Sequence, residues 1–151
     1  MDPLFIATPS DEAIYEALSL WPELAGRKIR PLLVSAFGDI YVETDVGDVW
    51  VADPIEISCY LVAGSVNELQ NNFANPAWAE EKLITNLALL ANDKNISRDP
   101  HQVFGFAPHP SFTGELKIEQ LMPMDVNIWH HISLQLSNAQ QNAQADPPPR
   151  G

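Results

Sequence analysis

The sequence predicts an α+β protein: an antiparallel meander of about three to five strands packed with three to four helices. Three observations predict it. Between Phe37 and Pro54 the chain alternates with period two in β-branched and aromatic residues, the pattern of half-buried antiparallel strands. Three strand-like runs follow one another with only short turns between them, which suits a meander rather than a parallel sheet. Helix-start chemistry then dominates from Ser65 onward.

In chain order, Pro9 to Leu20 predicts a helix, with Thr8 as cap, Pro9 in the first helical position and Asp11 and Glu12 against the dipole. Ile14, Ala17, Leu18 and Trp21 fall on one stripe, and Trp21-Pro22 ends it because the residue before proline avoids the α region. Glu23 to Pro31 is a connector carrying Arg27, Lys28 and Arg30, the one basic cluster, whose bland reading is a solvated run. A strand from near Leu32 opens the hairpin. Thr44 to Asp48 is its loop, where Gly47 supplies the positive φ that a short bulged turn requires. Asp53-Pro54-Ile55 links to a third strand over about Glu56 to Val62, proline being unable to donate to a ladder.

Ser65 and Glu68 form a capping-box pattern for a helix reaching about Phe73. Asn75-Pro76 starts the next helix, whose apolar face carries Trp78, Leu83, Ile84, Leu87, Leu90 and Ala91, with Glu80, Glu81 and Lys82 on the polar side. Asn92 to His101 reads as a loop, Val103 to Phe106 as a strand, Pro108 to Gly114 as an irregular loop and Lys117 to Leu121 as a last strand. Asp125 caps a final helix carrying Val126, Trp129, Ile132, Ser133 and Leu136. Residues 1–136 therefore form one domain, followed by a polar, proline-rich tail, 137–151, whose last dozen residues are expected to be disordered.

Twenty acidic residues against eight basic ones give a net charge of −12. That balance disfavours direct contact with nucleic acid or an anionic membrane surface and favours either a basic protein partner or plain solubility. One cysteine, Cys59, rules out an internal disulfide and sits in an alternating run as a small buried residue. No run approaches a membrane span, and the first residues lack signal-peptide character, so the expected location is cytoplasmic.

No catalytic motif is evident. His130 and His131 are adjacent on a helix and cannot share a ligand face, His101 and His109 flank a loop, and no metal-binding spacing occurs, so neither a metal nor another cofactor is expected. Asp39, Glu43, Asp45, Asp48, Asp53 and Glu56 crowd the hairpin and its exit. They admit three readings: a solvated strand face, a patch for a partner, or a pair of carboxyls in acid–base work. With Tyr41 and Trp50 as aromatic anchors, the predicted partner-binding set is Asp39, Tyr41, Glu43, Asp45, Asp48 and Trp50. Either aromatic could instead belong to the core.

The order of several short blocks carries a resemblance. Ala36-Phe37-Gly38-Asp39, Gly47-Asp48-Val49-Trp50 and Asp53-Pro54 are followed by Val103-Phe104-Gly105-Phe106-Ala107-Pro108, Thr113-Gly114-Glu115-Leu116, Met124-Asp125 and Leu134-Gln135-Leu136. Over about Leu32 to Leu136 this resembles the C-terminal domain of the bacterial GAD-related family, which includes immunity proteins for type VI secretion DNase toxins. Thr113-Gly114 stands where the family pattern has two glycines, and the N-terminal portion is shorter than in long members. The resemblance implies a bacterial, intracellular, non-enzymatic inhibitor that binds a cognate toxin, plausibly a nuclease with a basic cleft. The competing expectations are a small hydrolase or ligand-binding domain using Asp53, His101 and His109, and an adaptor that binds a protein without inhibiting it.

Overall fold

In the computed structural model, described over residues 1–145, a five-stranded antiparallel sheet runs in the order β1-β2-β3-β4-β5. Its strands are β1 (Ile6–Ala7), β2 (Ile29–Ser35), β3 (Ile40–Thr44), β4 (Val49–Asp53) and β5 (Ser58–Ala63). A two-stranded sheet pairs β6 (Val103–Phe106) with β7 (Leu121–Met124). Six helices complete the α+β fold: α1 (Asp11–Leu18), α2 (Val66–Phe73), α3 (Pro76–Leu83), α4 (Thr85–Asp93), α5 (Pro110–Thr113) and α6 (Val126–Ala145).

Both faces of the main sheet are covered. Ile40, Val42 and Ala52 pack on one side with α1, β6 and α6. Tyr41, Val49 and Val51 point the other way, into a second core closed by Leu69, Phe73 and Trp78 of α2 and α3. The side chains alternate as a strand demands, but the alternate face meets helices rather than water. Tyr41 meets Phe73 edge-on with ring centroids 5.4 Å apart, and Phe73 meets Trp78 at 4.9 Å.

The first core is clamped at the β2–β3 turn. Gly38 has φ +94°, and a Cβ there would lie 2.6 Å from Trp129 Cδ1. That contact lets Trp129 Nε1 donate to Phe37 O at 3.0 Å and His130 Nε2 to Gly38 O at 2.6 Å. Trp21 Nε1 donates to the other ring nitrogen of His130 at 2.9 Å, so the imidazole is fully bonded as a neutral ring. Phe37 packs on Phe104 and Phe106 at about 6 Å. The sequence blocks around Phe37, Phe104 and Asp125 thus meet in one packed centre.

Several boundaries differ from the sequence reading. Ser10 caps α1, accepting from Ala13 N at 3.2 Å, because the backbone is still extended at Ser10. Ser65 and Asn75 cap as expected, although Glu68 reaches back to Gly64 N rather than to Ser65 N. The predicted long helix after Pro76 is two: Ile84 sits at φ 53°, closes α3 and opens α4. Glu80 holds the break by accepting from Asn86 N at 2.8 Å and from the Thr85 hydroxyl. β1 was not foreseen, being two residues long. The last strand lies after Lys117–Gln120, which is mostly a 3-10 turn. α6 runs to Ala145, so 137–145 are helical; Ser, Asn, Gln and Ala there contain no breaker before Pro147. The remainder of the predicted tail, 146–151, lies outside the described residues. No helix among the described residues is long and apolar enough to cross a membrane.

Candidate functional site

The predicted hairpin face does not assemble as one surface. Asp39 is 5% exposed and Tyr41 1%, because helices α2 and α3 cover the sheet face that the alternation assigns to solvent. Trp50 lies on the opposite face from Tyr41, with the Arg27 guanidinium 5.2 Å from its ring centre. Glu43 is paired with Arg30 at 2.7 Å, so one cation of the connector's basic cluster is spent on the hairpin itself. Asp48 accepts the Thr44 hydroxyl within its own loop. Of the six residues in the predicted set, Asp45 at the hairpin tip is the one that stands exposed without a charged partner among the described residues.

What the fold does bring together is a cleft of about 400 Å³ between the helical face of the sheet and α3. Asp39, Tyr41 and Val51 form its floor, being the most buried of its lining groups. Asp53, Glu56 and Tyr60 stand on one wall and Glu81 and Lys82 on another. A second cleft of about 460 Å³ continues from it, sharing Ile55, Glu56 and Leu116 and adding Glu115. Together they make an open groove lined by five carboxyl side chains and Lys82, with Lys117 paired to Glu115 at 3.3 Å.

The local sequence explains the positions. The tight β2–β3 turn makes Ser35 and Asp39 neighbours: Ser35 Oγ donates to Asp39 Oδ2 at 3.0 Å and accepts from Asp39 N at 3.0 Å. Asp53 ends β4 and folds over the turn, its Oδ1 accepting from Ile55 N and Glu56 N at 3.0 Å each, an Asx turn that stops the strand before Pro54. Lys82 lies on the last turn of α3, 3.4 Å from Tyr60 Oη and 5.2 Å above its ring.

The electrostatics follow from burial. Asp39 Oδ1 is buried without a hydrogen-bond partner. Desolvation, then the neighbouring Asp53, hold the Asp39 carboxyl well above the ordinary carboxylate range, with Ser35 and Lys82 opposing. Burial, then Asp53, pushes the Tyr60 hydroxyl up, and burial, then Asp39, does the same to Tyr41, so both phenols stay protonated donors.

The histidines do not join the cleft. His101 is exposed beside Asp99 at 3.9 Å. His109 Nε2 bonds Pro54 O at 2.8 Å and its Nδ1 accepts from Ser111 N at 3.0 Å. His131 faces Glu16 at 3.8 Å. Cys59 is buried on the far face, its thiol pushed up to about 12 by burial first. Among the described residues no three His, Cys, Asp or Glu side chains converge to hold a metal ion.

Glu81, Lys82, Tyr60 and Glu115 were absent from the predicted site. The adjacent Glu81 and Lys82 looked like the solvated side of a helix, and no local signal separates that from a cleft wall. Asp53 and Glu56 were visible as part of the acidic crowd, and the Asp-Pro step marked where the first of them would turn. No protein-family model matches the sequence, and no curated protein is significantly similar to it.

Proposed function

We propose that the protein binds a basic protein and neutralises it, the cognate partner being a toxin, a type VI secreted nuclease, as the resemblance of the sequence blocks implies. The observation that carries this reading is the groove: Asp53, Glu56, Glu81 and Glu115 stand around a space floored by the buried Asp39, with Lys82 in its wall and Lys117 paired to Glu115 at 3.3 Å. On this reading the partner-binding surface is the groove beneath α3, which keeps Asp39 and Tyr41 of the predicted hairpin set and leaves out Glu43, Asp45, Asp48 and Trp50. A preformed acidic concavity suits a protrusion with basic side chains, and a net charge of −12 supplies the long-range attraction. A nuclease holds phosphates with such basic side chains, so covering them blocks substrate.

The test is titration with the toxin-like protein encoded by a neighbouring reading frame. Binding is expected with an association rate that falls steeply with ionic strength. Glu56→Gln, Glu81→Gln and Glu115→Gln together should lower that rate about tenfold at low salt. Association indifferent to salt and to all three changes would remove the proposal.

One observation favours a second reading, a small-molecule binding or hydrolytic cleft: the Asp39–Asp53 pair combines a carboxyl that burial keeps protonated with one that accepts backbone donors. Turnover of small esters or glycosides abolished by Asp39→Asn, without any protein partner, would select it.

A further inference from the structure

We propose that the cleft is a receptor for one arginine side chain, its guanidinium set between the carboxyls of Asp39 and Asp53. The inference rests on the binding role above and names the chemical group the partner presents.

Asp39 provides the first reason. It is 5% exposed, one oxygen is met by Ser35 and the other, Oδ1, has no donor. In the free protein this carboxyl stays protonated against Asp53, an arrangement the β2–β3 turn does not need, since a neutral residue would serve it. The missing donor is best supplied from the cleft that Asp39 lines. It must also be cationic, because Asp53, Glu56 and Glu81 stand around the same space and only Lys82 opposes them.

The shape of the donor follows from spacing. The carboxyls do not converge on a metal ion among the described residues, so a point cation has no shell here. A guanidinium is a planar fork with five donors and can bridge two separate carboxyls, which an ammonium cannot do as well. Ile55, Ile84 and the ring of Tyr60 give the arginine stem apolar and aromatic walls. A volume of about 400 Å³ holds one long side chain with its attendant water.

The proton that Asp39 holds in the free protein leaves to solvent as the guanidinium arrives. The polar groups facing that exchange are Ser35 of β2, Tyr41 of β3, Asp53 of β4, Tyr60 of β5 and Lys82 of α3. Lys82 has a particular role. Its ammonium already stands over the Tyr60 ring and offers the cleft an internal cation, so it competes with the incoming one.

The experiment needs no partner protein. N-acetyl-arginine amide is titrated into the full chain and followed by amide chemical shifts and calorimetry, with the citrulline and lysine amides as controls. A dissociation constant on the order of a millimolar is expected for so small a probe. Shifts should centre on Asp39, Asp53 and Tyr60, and the two controls should bind at least tenfold more weakly. Lys82→Met should tighten binding severalfold; this side chain stands at the cleft wall, where its loss leaves the core intact. Asp39→Asn and Asp53→Asn, each checked for a cooperative melt, should weaken binding at least tenfold. Equal binding of citrulline or lysine, no binding of arginine, or weaker binding on Lys82→Met would overturn the proposal, the last because a competing cation cannot support the one it competes with. Failure here with intact partner binding removes the arginine alone; arginine binding without partner binding removes the inhibitory role alone.

Discussion

Acid should loosen this fold through one ring. His130 is fully buried, and its pKa is lowered to about 4 chiefly by desolvation, with the Gly38 carbonyl opposing and His131 adding to the effect. In the unfolded chain the same imidazole titrates near its ordinary 6.5. Between those values the unfolded state carries a proton that the native state refuses, so stability falls as the pH drops through this window and levels off below it. The full difference is worth about 3 kcal/mol, at roughly 1.4 kcal/mol per pH unit. The geometry gives the reason: Nδ1 is an acceptor for Trp21 Nε1, and a protonated ring would aim N–H at N–H. Urea melts of the wild type and of His130→Gln from pH 8 to pH 4 isolate the effect, because other titrating groups cancel in the difference. The substitution should cost most at pH 8 and about 3 kcal/mol less at pH 4. Trp21→Phe removes the opposing donor and should raise the ring's pKa part of the way. A gap between wild type and His130→Gln that stays constant with pH, or an imidazole resonance titrating near 6.5 in the folded protein, would refute the reasoning.

Gly38→Ala should destabilise by about 3 kcal/mol or more in chemical denaturation, since it combines a φ of +94° with a Cβ 2.6 Å from Trp129. Asp39 has the opposite sign to His130: its pKa is raised, so its contribution is present at low pH and lost as the pH rises through the folded value. Asp39→Asn should therefore abolish that loss, and the wild type should weaken relative to the variant as the pH rises in paired melts. Cys59, buried and with its thiol pushed up to about 12, should stay unreactive to a disulfide reagent in the native protein and react at once in urea.

The hairpin was legible because its turn depends on local chemistry: Gly47 and the alternating strands leave few options. The caps at Ser65 and Asn75 were legible for the same reason. The double burial of the sheet was written in the sequence and could be read otherwise. Ile40-Tyr41-Val42 and Val49-Trp50-Val51-Ala52 are apolar at every position, which is the mark of a strand covered on both sides. Reading them as one-sided put Asp39 and Tyr41 on an open face, where α2 and α3 instead cover them and leave only the floor of a cleft. The break at Ile84 had no such signal, since a β-branched residue at positive φ is the last candidate for a helix end. The cleft was illegible for a different reason. Asp39, Tyr60 and Lys82 come from three separate elements, and only the packing of α3 on the sheet makes them neighbours.

Amide chemical-shift mapping with the basic partner bound tests the central claim most directly, because it asks where contact falls. The groove account predicts perturbations concentrated at Asp53–Glu56, Glu81–Lys82 and Glu115–Leu116. Perturbations confined to the hairpin tip around Asp45 and Asp48, with the groove unchanged, would contradict it.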